Sequence, residues 1–482
     1  MAQQGLFKTE DWWAVWLGML VFILSLFYLA GADFLGWVGR PMMWTDFSKS
    51  FGPISPKYST LGGFGSLLIT YILFLVVLTI GAKAIGFKIG KFIYGFTVIF
   101  WLTILCVVLG NYANIAANSP GDIKKFGLTW SLRLTGESGL IIALLAGLFI
   151  SNFLPKFAET LKEAARPEWY IKTAIVILGA GIGVKAVGAM GLATAVMSLG
   201  LCAVVVAYLI YWALVYWMAR KWFGFSREWS APLASGISIC GVSAAIATGG
   251  AIRARPIVPI MVSSLVVIFA VVELLLLPFL AQTFLYKEPL VAGAWMALAV
   301  KTDGAAVASG AIVDALIRAK ALAVQGINYE PGWMLSTATT VKIFIDIFIG
   351  VWAFILAVIW TTVIESKPGE RVSAIEIWNR FPKFIIGYAL TFVIMLLICL
   401  NNPGIVKTTA TAASGEADVF RTTFFALTFF SIGLVSNFRK LWEEGIGRLA
   451  VVYLVALFGF IIWIGLLISW IFFHGVKPPL IG

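Results

Sequence analysis

Lys301 and Asp303 are the residues whose position most demands a chemical explanation. They stand two apart in the otherwise apolar run Ala299-Val-Lys-Thr-Asp-Gly-Ala-Ala-Val-Ala-Ser-Gly-Ala-Ile312, where an ionisable group costs about 2.5–3.5 kcal/mol on insertion scales. A lysine there can hold an anion, an aspartate can hold a cation or a proton, and a plain ion pair stabilising a broken helix is the alternative. Three further charges lie in apolar surroundings. Lys342 and Asp346 are one helical turn apart on one face, and Glu273 is solitary in Val271-Val-Glu-Leu-Leu-Leu, fit for a proton carrier or for the membrane edge. The hydroxyls of Ser238, Ser243, Thr302 and Ser309, with Cys240 and the amides around Gly241 and Gly304, complete a candidate substrate site.

The elements that must position these groups are two glycine-rich segments. The first, Ser235 to Ile252, carries four glycines and four hydroxyl side chains. Each glycine weakens a helix by roughly 1 kcal/mol relative to alanine, and irregular backbone survives at bilayer depth only where protein buries it or water lines it. A break in each segment, with the breaks meeting near the midplane, is expected. Gly304 to Ile312 echoes Ala244 to Ile252, and Ala174 to Ile182 echoes Ala426 to Leu434, with Gly181 opposite Gly433 and Lys185 opposite Arg439-Lys440. Two echoes in this order suggest an inverted repeat.

Composition sets the class. Hydrophobic residues make up 61% and charged residues 12%, against about 25% charged in a soluble domain, so the chain reads as an all-α polytopic membrane protein. Spans of about 20 apolar residues number about 13. Residues 1–136 read as a three-span accessory module that packs outside the core and gives no residue to the central cavity; residues 137–482 read as the inverted-repeat domain. Glu137 reads as an N-terminal helix acid, and 155–170 as an amphipathic surface helix. Lys and Arg number about 19 in loops on the side of the N-terminus and about 14 on the other, which places the N-terminus in the cytoplasm and the C-terminus outside.

The net charge of +12 comes from basic residues scattered singly in loops, which suits topology and anionic lipid rather than nucleic acid. The four cysteines lack zinc or disulfide spacing and there is one histidine, His474, so neither a metal nor a cofactor is expected. P-loop, HExxH and Gly-x-Ser-x-Gly motifs are missing, and an enzyme is not expected.

Gly236-Ile-Ser-Ile-Cys-Gly-Val-Ser-Ala-Ala-Ile-Ala-Thr248, together with Ile177-Leu-Gly-Ala-Gly-Ile182, Ala308-Ser-Gly310, Val341-Lys-Ile343 and Ser431-Ile-Gly-Leu434, resembles the YeiH-type family, whose members carry a sulfate-exporter label. The likeness covers roughly residues 137–473. It implies a fold related to the cation/proton antiporter and bile-acid transporter superfamily, with two broken helices crossing in a core domain that moves against a dimerising scaffold. Members typically carry His-Glu or His-Asp where this chain has Lys301-Thr302, and a basic residue near Asp346, so the chemistry at the core is rewritten here.

The expectation is therefore a secondary transporter of a small sulfate-, sulfonate- or carboxylate-like anion, coupled to protons or sodium, dimeric, in the inner membrane. A cation/proton antiporter is the second reading, and a channel or membrane sensor the third. Asp346 lies on another helix, whereas Asp303 is only two residues from Lys301 and points to a different face, so Lys301 is expected to pair with Asp346.

Overall fold

The computed structural model describes residues 5–117, 120–132, 138–188, 190–255, 257–364, 383–437 and 447–481. Apolar runs fold as helices because hydrocarbon leaves backbone groups no other partner. In chain order these are α1 (Glu10–Leu26), α2 (Gly62–Ile85), α3 (Ile89–Gly110), α4 (Ser138–Phe153), α5 (Pro155–Leu161), α6 (Pro167–Gly188), α7 (Met190–Lys221), α8 (Arg227–Ser238), α9 (Gly241–Ala251), α10 (Ile257–Phe284), α11 (Pro289–Ala299), α12 (Asp303–Gln325), α13 (Trp333–Ile359), α14 (Phe384–Asn401), α15 (Thr411–Val435) and α16 (Gly447–Phe473, with a π turn at Leu457–Ile461). Seven of the described helices are long and apolar enough to cross a bilayer, or eight if α4 is joined to α5, which leaves it at 118°. The surface helix expected over 155–170 is only α5; by Pro167 the chain has turned into α6. One departure from an all-α chain is a small antiparallel ribbon, β1 (Gly39–Pro41) with β2 (Phe51–Pro53), Arg40 opposite Gly52.

The two ends of the bundle are identified by their contacts. At the amino-terminal end, Asp11 accepts from the Lys172 ammonium at 2.8 Å and from the Lys383 amide at 3.0 Å, and Glu10 lies 3.6 Å from Arg166. At the opposite end, the last residues pair with the loop after α12, Glu330 N–H donating to Pro479 O and Ile481 N–H to Asn328 O, each at 2.8 Å. Helices α4 and α15 cross in near backbone contact. A β-carbon on Gly147 would meet Phe430 O at 2.2 Å, and one on Gly433 would meet Leu144 O at 2.2 Å. Gly433 thus serves a helix crossing, whereas Gly181, opposite it in the sequence echo, faces open space. Glu137, the Lys185 side chain and Arg439-Lys440 lie outside the described residues.

Both glycine-rich segments are broken, at Ile239–Cys240 and at Val300–Thr302, but neither crosses the bundle. Each turns back. In the first, Arg255 bonds Glu228 at 2.9 Å and Thr248 shares a 2.7 Å hydroxyl bond with Ser235, so α8 and α9 run side by side as a hairpin. In the second, β-carbons on Gly293 and Gly310 would both meet Met334, which places α11 and α12 on the same stretch of α13. The base of this hairpin is at the other end, where Glu288 accepts from the Gly475 amide. Helix α10, 28 residues and so about 42 Å long, runs from one base to the other. The expected pair of crossing helices is thus a pair of opposed re-entrant hairpins, because pairing across each hairpin ties its two ends together.

Candidate functional site

The hairpin tips meet backbone to backbone. Gly241 N–H donates to Lys301 O at 2.6 Å. A β-carbon at Gly241 would stand 1.9 Å from Val266 Cγ1 and 2.9 Å from Lys301 O, so only glycine permits this approach. The same tip residue is held from α10, where Glu273 Oε2 accepts the Lys301 amide at 2.9 Å. Glu273 is fully buried, and its observed bond is to the tip backbone.

Around this contact the charges follow the helix dipoles. Asp303 opens α12, where a carboxylate is favoured, and Thr302 caps that helix by accepting from Ala305 N–H at 3.2 Å. The Lys342 ammonium, reaching from α13, donates to Ile239 O at 3.1 Å at the carboxyl end of α8 and lies 3.6 Å from Asp303 Oδ1. Cys240 Sγ donates to Asp303 Oδ1 at 2.7 Å. Asp346, one turn beyond Lys342, completes a buried group in which ligand atoms of Cys240, Asp303 and Asp346 all lie within 4.8 Å of one another. Among the described residues, neither oxygen of Asp346 has a hydrogen-bond partner.

The expected pairing of Lys301 with Asp346 is not what forms. The Lys301 ammonium turns back to Leu298 O and sits 4.8 Å from the centre of the Tyr211 ring. It thereby caps the carboxyl end of α11, the favourable pole for a cation, and Lys342 is the lysine at the aspartates. Ser238 and Ser309 are buried with hydroxyls that have no partner among the described residues. The Ser243 side chain lies outside the described residues. Gly304 has room to spare, since its nearest would-be contacts are the Ile171, Thr428 and Ile432 side chains at 3.6 Å.

A second feature was not read from the sequence. A cavity of about 1010 Å³ lies between α6, α12, α15 and the ribbon; on α12 its wall runs from Ala311 to Arg318 and so stops short of the tips. Residues 1–113 line part of this cavity, through Arg40, Phe51, Ile54, Ile104 and Asn111, and supply none of the residues described at the tips. The available signal was a pair of proline-ended stretches, Gly39-Arg-Pro41 and Phe51-Gly-Pro53.

Fold and site together define a polytopic α-helical membrane protein organised on two opposed hairpins with a buried carboxylate and ammonium cluster between their tips. The chain belongs to the family described as conserved hypothetical protein 698, whose model matches residues 98–453. It is 44% identical over 485 residues to the UPF0324 membrane protein NE0724 of Nitrosomonas europaea, across 99% of this chain and 98% of that protein. It is 55% identical over 170 residues to an uncharacterized protein of Archaeoglobus fulgidus, across 31% of this chain and 91% of the other. The UPF0324 membrane protein RB9488 of Rhodopirellula baltica is 30% identical over 417 residues, 84% of this chain and 66% of that protein. No solved structure matches. The Nitrosomonas match includes the first three helices, whereas the family model begins inside the third.

Proposed function

We propose that the chain is a secondary transporter that moves a small anion across the cytoplasmic membrane by alternating access, coupled to protons. The observation that carries this reading is the meeting of two hairpin tips from opposite ends of the bundle, with Lys342, Asp303 and Asp346 buried at the contact. A hairpin entering from each end offers each face a gate, and α9 and α12 both begin at the tips, so two positive helix poles point to one place. Ser238, Cys240, Gly241, Ser243, Thr302, Gly304 and Ser309 would meet the anion there once the packing opens, with Lys301 and Lys342 as nearby cations. Asp346, whose oxygens have no hydrogen-bond partner among the described residues, is the fitting proton carrier, and Glu273 the second.

The two opposed hairpins fit two inverted halves, the hairpins forming the mobile core against a dimeric scaffold. The loops at the amino-terminal end hold more of the Lys and Arg, so that end faces the cytoplasm. The resemblance to the YeiH-type family supports an inorganic or organic oxyanion. A cation/proton antiporter is the second reading, favoured by the Cys240, Asp303 and Asp346 grouping.

Proteoliposomes of the purified protein test this. Saturable uptake of labelled sulfate, sulfonate or carboxylate, with accumulation against its gradient when a pH gradient is imposed, is the expected result. Non-saturating downhill flux would indicate a channel, and cation flux without anion flux the antiporter.

A further inference from the structure

The cavity beyond the tips has a chemistry of its own. Its lining includes the apolar side chains of Ile104, Leu140, Leu178 and Val419. It also includes the carboxylates of Asp314, Glu330 and Asp418 and three guanidinium groups, and the latter differ in how far they are committed. Arg318 is tied to Asp314 at 2.9 Å, and Arg421 to Asp418 through two bonds of 2.5 and 3.0 Å. The Arg40 guanidinium has no hydrogen bond or ion pair among the described residues, and the residue is exposed.

Arg40 is held in place by its neighbours. The ribbon fixes its backbone opposite Gly52, the Gly39 amide before it donates to Thr70 Oγ1 at 3.0 Å, and Trp37 packs edge-on against Phe420 of α15 at 6.3 Å. A planar guanidinium at the rim of a cavity, with its donors free, matches an oxyanion headgroup, while the apolar lining and the volume exceed what a bare inorganic oxyanion fills.

We propose that this cavity is a vestibular binding site for an organic oxyanion with an apolar body, a sulfonate or carboxylate, whose headgroup is taken by Arg40 and whose body lies on the apolar side chains of α3, α4 and α6. The proposal rests on the transport reading and gives it a substrate class. It also gives the first helices and their ribbon a role, selection of the anion before it reaches the tips.

The test is binding and uptake of benzenesulfonate against inorganic sulfate by the full chain in nanodiscs and proteoliposomes. The native protein should bind benzenesulfonate at least about tenfold tighter than sulfate. Arg40→Gln should weaken benzenesulfonate binding by about tenfold, and Arg40→Lys, which keeps the charge and loses the fork, should restore only part of it. An unchanged affinity in Arg40→Gln, or sulfate bound as tightly as benzenesulfonate, overturns the proposal. If uptake depends on Asp303 but its KM is indifferent to Arg40, the vestibule fails and transport stands. If binding depends on Arg40 but no anion is carried, transport fails and the site stands.

Discussion

The two hairpin tips look alike in sequence and do opposite work. The first brings a backbone carbonyl at Ile239, a thiol at Cys240 and a glycine at 241, and no charge; the second brings Lys301 and Asp303. At the first tip, glycine is a steric necessity, because a β-carbon would run into the Val266 side chain of α10 and crowd the Lys301 carbonyl of the second tip. At the second, Gly304 has only ordinary side-chain contacts to meet. One tip is thus shaped to receive and the other is charged to be received, and the lysine holding them together comes from neither hairpin but from α13.

Removing that lysine should have the largest effect. Lys342→Met leaves the Asp303 and Asp346 carboxylates facing each other in a buried site, and breaking a buried pair in this way costs about 3–5 kcal/mol. The expected outcome is a melting temperature several degrees lower in detergent, partly recovered in Lys342→Met/Asp303→Asn. Equal stability of the single variant and the native protein would mean that the pair does not hold the tips.

Next comes the steric contrast. Gly241→Ala should cost about 1–3 kcal/mol through overpacking, whereas Gly304→Ala should stay within about 0.5 kcal/mol. Thermal unfolding of the two variants side by side reads this; an equal loss would show that the tips are not distinguished by space. Glu273→Gln tests the support beneath the second tip. The amide oxygen can still accept from the Lys301 N–H, so stability should change by less than about 1 kcal/mol, while Glu273→Leu, which leaves that buried amide unpaired, should lose about 1–3 kcal/mol. The smallest effect belongs to the base of the first hairpin. Glu228→Gln weakens an exposed pair with Arg255, worth about 0–1 kcal/mol, and should leave unfolding nearly unchanged.

Much of this was legible in the chain. Glycines and hydroxyls at bilayer depth marked both breaks, and the isolated charges marked Lys301, Asp303, Lys342, Asp346 and Glu273, because each is costly without a purpose. The direction in which the chain leaves a break was not legible. A helix break at Ile239–Cys240 reads the same whether the next helix continues or returns, and only the Ser235 to Thr248 and Glu228 to Arg255 contacts decide it. The choice between the two lysines was hidden for a similar reason. Lys301 lies near Asp303 in sequence, but the free carbonyls that end α11 capture it, and Lys342 is brought in by packing over 103 residues of separation from Ile239. Arg40 escaped notice because a three-residue strand has too short a period to register between two long apolar runs.

On the transport reading, the buried carboxylates between the tips couple anion movement to protons. Simultaneous recording of anion uptake and internal pH in proteoliposomes, for the native protein and Asp346→Asn, tests it most directly. The native protein should move protons with the anion in a fixed ratio, and Asp346→Asn should retain anion exchange while losing both proton movement and uphill accumulation. Proton movement and accumulation that persist unchanged in Asp346→Asn would contradict it.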